Sequence, residues 1–136
     1  MTEVPSRRVL LLTAGLGPGG LERQLRLLAT HLPARWRAVV LSLNGGQFVD
    51  ELQHSDVAVR IGRRRGRLDL LPFAGLSRFI IATRPDVVHF WHWLPAAAAA
   101  PVCRLLHIPL VDGTVRSGRP SGDCVRSVHD RPAKTL

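Results

Sequence analysis

Val9 to Leu12 form a continuous apolar run, bounded by Arg7 and Arg8 on one side and by glycines on the other. The run is too short for a helix and does not alternate, so it predicts a strand buried on both faces, as in the middle of a parallel sheet. Gly15, Gly17, Gly19 and Gly20 crowd the turn that follows. From Leu21 the apolar positions fall at Leu21, Leu25, Leu28 and Leu32, which is one face of a helix. Pro33 ends it, because proline disfavours helix in the residue before it. Strand, glycine loop and helix therefore follow one another.

The pattern then repeats. Trp36 to Leu43 read as a second strand broken by Asn44-Gly45-Gly46, and Gln47 to Gln53 as a short helix with Phe48 and Leu52 inward. Val57, Val59 and Ile61 mark a third, shorter strand. Asp69 is placed to cap a helix with Pro72 in its first turn and Leu76, Phe79, Ile80 and Thr83 on one face. Val87 to Trp91 form a fourth strand. Pro95 opens an alanine-rich helix that Pro101 is expected to kink, and Ile108 to Asp112 form a fifth strand. Connections of a dozen residues or more imply parallel strands joined by right-handed crossovers. The fold class is α/β, a doubly wound, Rossmann-like parallel sheet of order 3-2-1-4-5 over residues 7–112. Strands one and four then flank the switch point, so Thr13–Gly20 and His89–Trp93 face each other across a ligand crevice. From Gly113 to Leu136 no hydrophobic period persists, and this stretch reads as a loop or tail leading to further elements.

Charge changes the picture more than size does. The 136 residues suit one domain, with 46% hydrophobic residues and no run near the roughly 20 apolar residues that span a bilayer. Nineteen basic residues, eighteen of them arginine, stand against ten acids, for a net charge of +9. Such a balance suits phosphates, anionic lipid or nucleic acid, though base composition alone also yields Arg-rich and Ala-rich chains. Five arginines, Arg60, Arg63, Arg64, Arg65 and Arg67, gather beside the apolar pair Leu70 and Leu71. The first residues carry an acid and lead straight into the strand, unlike a secretory leader. Cys103 and Cys124 lack zinc or redox spacing, so reduced thiols in a cytoplasmic protein are expected.

Two stretches carry candidate chemistry. The glycine loop opens a helix whose free N–H groups and dipole favour an anion, a phosphate or a carboxylate. G-L-G-P-G-G matches the dinucleotide fingerprint, but strand two ends Leu41-Ser42-Leu43-Asn44 with no acid for a ribose, and Pro18 lacks an N–H. A phosphate loop of the Walker type is excluded, since no Lys-Ser or Lys-Thr follows the glycines. The second stretch is V-V-H-F-W-H-W-L. Histidine at a strand end can exchange a proton with a hydroxyl near neutral pH, and aromatic rings suit the apolar faces of sugars or bases. The alternative is that Trp91 and Trp93 plug the sheet end while His89 caps a carbonyl. His89 and His92 have no neighbouring carboxylate or thiol in sequence to complete a metal site.

Three blocks, V-L-L-L-T-A-G-L-G-P-G-G-L-E-R-Q-L, R-P-D-V-V-H-F-W and I-P-L-V-D-G-T-V-R-S, resemble the amino-terminal domain of group 1, family 4-like glycosyltransferases of the two-domain GT-B fold. The resemblance covers about residues 7–120. It implies a retaining transfer of sugar from a nucleotide-sugar donor to an acceptor hydroxyl, carbohydrate or lipid-linked, with no cofactor and no obligatory metal. It implies that Gly17, Gly19 and Gly20 face donor phosphates and that His89 and His92 are the catalytic candidates. Trp91 and Arg116 join the glycines as substrate-binding candidates, while Glu22 and Arg23 match the family's helix start. The family's second domain, which supplies most donor contacts, is expected in the same or a neighbouring gene. The arginine loop raises an anionic inner membrane surface as a possible partner. The alternative function is a stand-alone basic α/β module that binds nucleic acid or phosphorylated ligands, although no aromatic residues interleave the arginines for base stacking.

Overall fold

The computed structural model describes residues 6–114. Five parallel strands form one sheet, β1 (Arg7–Thr13), β2 (Trp36–Ser42), β3 (Ala58–Ile61), β4 (Val87–Phe90) and β5 (Leu110–Asp112), in the order β3-β2-β1-β4-β5. Four helices connect them, α1 (Gly20–Thr30), α2 (Phe48–His54), α3 (Leu71–Thr83) and α4 (Trp93–Leu105). The expected order and switch point are both present.

The apolar run of β1 is buried because it is the middle strand and has a core on each side. Val9 and Leu11 join Leu25 and Ala29 of α1 and Leu52 of α2 on one face. Leu10 and Leu12 join Leu76 and Ile80 of α3 with Ala99 and Cys103 of α4 on the other. Successive residues of the run thus serve opposite cores, as the two-residue strand period requires. Each fully buried leucine contributes about 1.5–3 kcal/mol relative to an exposed one. Cys103 lies in the second core, and burial there pushes its thiol up to about 11, so it is an inert packing group.

Several boundaries differ from expectation: β2 ends at Ser42 rather than Leu43, α2 runs Phe48–His54 rather than from Gln47 to Gln53, and β5 begins at Leu110 rather than Ile108. β4 ends at Phe90, one residue early. α4 begins at Trp93 rather than Pro95 and continues as one element through Pro101. A proline in the first turn lacks only an N–H that has no helical partner there, so Pro95 does not mark the first residue. α3 starts at Leu71, and Asp69 serves it by accepting the Leu71 N–H at 3.1 Å and the Arg65 N–H at 2.9 Å.

The loop after β1 is clasped by the loop after β2. Asn44 Nδ2 donates to the Ala14 carbonyl at 3.0 Å, and Leu43 N–H donates to the Thr13 carbonyl at 3.2 Å. Phe48 N–H reaches the Leu16 carbonyl at 3.1 Å, while the Leu16 side chain is fully buried. Gly46 lies so close to the Leu16 backbone that a Cβ there would stand 2.1 Å from its carbonyl carbon and oxygen. Neither loop can give without breaking these bonds. Gly46→Ala should therefore destabilise the domain by about 1–3 kcal/mol, the usual range for overpacking. Denaturant unfolding, together with faster amide exchange at Leu16 and Phe48, checks this, and an unchanged midpoint would refute it.

Candidate functional site

The clasp fixes Ala14 to Leu16 and leaves Gly17 to Gly20 as the part of the loop facing the switch point. Gly19 has extended backbone (φ −72°, ψ 163°), and its carbonyl accepts the Arg23 N–H at 3.1 Å, so it stands at the N-cap of α1 with no side chain to cap it. Glu22 stands nearby without a capping hydrogen bond. Its carboxylate folds back over Gly19, where a Cβ would lie 2.1 Å from Oε2. An acid three residues past the N-cap complements the free N–H groups and positive end of the helix. The anion expected at this helix start is therefore supplied here by the chain itself, and any phosphate approaching Gly19 meets this carboxylate.

His92 sits at the N-cap of α4 and joins the two sides of the switch point. Its Nδ1 accepts the Ala14 N–H at 3.3 Å and lies 3.1 Å from Thr13 Oγ1. The Thr13 hydroxyl donates to the Gly15 carbonyl at 2.9 Å, which turns the chain out of the strand. Since a backbone N–H can only donate, Nδ1 is the acceptor, and the proton of the neutral ring belongs on Nε2. Nε2 faces Glu22 Oε1 at 3.6 Å, too long for a hydrogen bond but close enough for attraction once the ring is charged. His92 thus links the end of β1, the start of α4 and the start of α1.

His89 and Trp91 take different parts. Their rings stack with centroids 4.1 Å apart and planes 21° from parallel. Trp91 is only 3% exposed and belongs to the core on the α1 side. It therefore acts as a floor beneath His89 rather than as an open surface on which a sugar could lie. Trp93, by contrast, is 72% exposed and plugs nothing. The half-buried His89 also touches the end of β5, where a Cβ on Gly113 would stand 2.4 Å from Nε2, so glycine is needed for the contact. Burial lowers the affinity of His89 for a proton, and the nearby Asp112 carboxylate opposes this more weakly.

Of the residues expected at the site, Gly17, Gly19, Gly20 and His92 gather around the start of α1, while His89, three residues before His92, stands at the end of β4 on its Trp91 floor. Arg116 lies outside the described residues. Sequence reasoning missed Thr13, Gly46 and Gly113, and it noted Glu22 only as part of a motif. The signal for Glu22 was its place three residues after an uncapped Gly19. Among the described residues, no three His, Cys, Asp or Glu side chains gather as a metal-binding group.

The model of Glycosyltransferase Family 4 matches residues 18–114, which runs from the middle of the glycine loop to the residue pair after β5. The chain belongs to glycosyltransferase family 4. Solved structures agree in fold. The family 4 chain is similar to HepE from Anabaena, in complex with UDP and glucose, at 20% identity and a TM-score of 0.58, covering 75% of this chain and 28% of that one. It is similar to a glycosyltransferase from Rickettsia africae (15% identity, TM-score 0.61, 79% and 29% covered) and to MurG from Acinetobacter baumannii (17%, 0.61, 78% and 34%). The sheet is thus that of a GT-B amino-terminal domain, and the family 4 chain spans about a third or less of these solved chains. A comparison with curated proteins gives no match.

The lowered proton affinity of His89 has a consequence for stability. Between its folded-state pKa and the ordinary value of 6.5, the unfolded chain binds a proton that the folded chain does not. Stability therefore falls as pH drops from about 6.5 toward that lower pKa, and this contribution levels off below it. Urea unfolding of wild type and His89→Gln across this range should show a shallower pH slope in the variant. Identical slopes would contradict the assignment.

Proposed function

We propose that the chain supplies the acceptor-side half of a retaining glycosyltransferase, which moves a sugar from a nucleotide-sugar donor to an acceptor hydroxyl in polysaccharide or glycolipid synthesis. The observation that carries this reading is that the family match takes in the second half of the glycine loop, from Pro18, as well as the histidine-bearing end of β4, on the two sides of the switch point. Sheets of this kind take their ligands there. The likeness in fold to a protein solved with UDP and glucose supports a nucleoside diphosphate-sugar as donor.

On this reading Gly17, Gly19 and Gly20 let the donor diphosphate approach the start of α1, whose N–H groups help to stabilise the departing phosphate charge. Glu22 must swing away from Gly19 for that approach, and His92 is the nearby partner it keeps. His89 and His92 face the sugar hydroxyls or the acceptor, Trp91 supports His89 from below, and Arg116 is a further substrate-binding residue. No obligatory metal takes part. A second domain, in the same or a neighbouring gene, brings most of the donor contacts, and the protein works in the cytoplasm on carbohydrate or lipid-linked acceptors.

The test is a transfer assay with a panel of nucleotide-sugars, using the chain together with its second domain. His89→Ala and His92→Ala should each lower turnover by about 10–100-fold, the loss expected when a polar contact of roughly 1–3 kcal/mol is removed. Circular dichroism should show the fold retained. Full turnover in both variants, or no transfer from any donor, would overturn the proposal.

A further inference from the structure

We propose that the end of the α3–α4 helix pair at the carboxyl side of the sheet is a docking surface for an anionic lipid bilayer. The proposal does not rest on sugar transfer.

Leu68, Leu70 and Leu71 are 93%, 70% and 80% exposed, three large aliphatic side chains within four residues. Soluble surfaces tolerate such residues singly, whereas a cluster marks an interaction surface. The arginines around them are not equivalent. Arg60 lies over the Phe79 ring at 5.5 Å, and Arg64 lies over Phe73 at 5.4 Å while donating to the Arg67 carbonyl at 2.6 Å. These two shape the loop. Arg63, Arg65 and Arg67 have exposed side chains. The acid of the segment, Asp69, is engaged by the Arg65 and Leu71 backbone N–H groups. The loop therefore presents aliphatic groups among an excess of positive charge, five arginines against the single acid Asp69.

A third component comes from the neighbouring helix. Trp93, 72% exposed, is the first residue of α4. α3 and α4 both follow strands of a parallel sheet, so both begin at its carboxyl end. Both also pack on the same core, through Leu76 and Ile80 and through Ala99 and Cys103. Leu70, Leu71 and Trp93 thus stand at the same end of two adjacent helices. Aliphatic groups that enter the acyl boundary, a tryptophan at headgroup depth and arginines that meet anionic headgroups form the combination an interface rewards. Nucleic acid has no use for the exposed leucines, and two copies of so basic a surface repel each other. Docking here turns the carboxyl end of the sheet, with the glycine loop, toward the bilayer.

Co-sedimentation of the full chain with phosphatidylcholine vesicles, with and without phosphatidylglycerol, tests the proposal. Wild type should partition onto the anionic vesicles alone, less so as salt rises. Arg63→Ser, Arg65→Ser and Arg67→Ser together should reduce partitioning at least tenfold, at about fivefold for each basic residue near such a surface. Leu68→Ser, Leu70→Ser and Leu71→Ser together should remove the part that resists salt. All six side chains are exposed, so unchanged thermal melts are expected. As a readout free of variants, wild-type tryptophan fluorescence should shift to the blue on adding anionic vesicles and be quenched by brominated lipid, and Trp93→Phe should lose both effects. Equal partitioning of wild type and the arginine variant would overturn the proposal. So would binding to an oligonucleotide but not to vesicles, or self-association lost in the leucine variant without vesicle binding.

Discussion

The site depends on the burial of β1 between two cores. Because Val9 and Leu11 face α1 and α2 while Leu10 and Leu12 face α3 and α4, the strand must lie at the centre with parallel neighbours on both sides. Its two neighbours, β2 and β4, then send their connections to opposite faces of the sheet. A crevice opens where those connections part, and whatever the chain places at Thr13 to Gly20 and His89 to His92 is brought to its edges. The chemistry of the site is thus held by apolar packing beneath it, and only then by hydrogen bonds such as that from Ala14 to His92.

At that crevice the electrostatics are internally balanced. The positive end of α1 is met by Glu22, which in turn lies near His92. A carboxylate at the helix start complements the helix dipole, and it sets a threshold that an incoming anion has to overcome. The strongly basic character of the chain is expressed elsewhere, in the loop between β3 and α3. There the exposed leucines and arginines lie at the same end of the sheet as the crevice but on the flank of the α3–α4 pair. Charge for binding a surface and charge for holding a ligand are therefore separated along one edge of the domain.

Much of this was legible from residue order. Strand and helix periods are local signals, so β1, α1, the strand order and the position of the glycine loop could be read directly. The roles of single site residues were harder, because they depend on partners distant in sequence. Gly46 reads as a strand breaker until Leu16, in another loop, is seen against it. Trp91 and Trp93 look alike in the sequence. The early start of α4 turns Trp93 out to solvent, while the strand period carries Trp91 into the α1-side core with His89 stacked on it. Arg64 looks like one of a run of free charges, yet its stacking on Phe73 makes it part of the loop's frame.

The central claim is that the switch point between β1 and β4 is where this domain takes an anionic ligand. Titrating the isotopically labelled chain with inorganic pyrophosphate, followed by amide and imidazole resonances, tests it most directly. The account predicts shifts concentrated at Gly17, Gly19, Gly20, Glu22 and His92, with the Glu22 side chain released from Gly19. Shifts confined to the Arg63–Arg67 loop, or to the amino ends of the strands around Trp36 and Ala58, would contradict it.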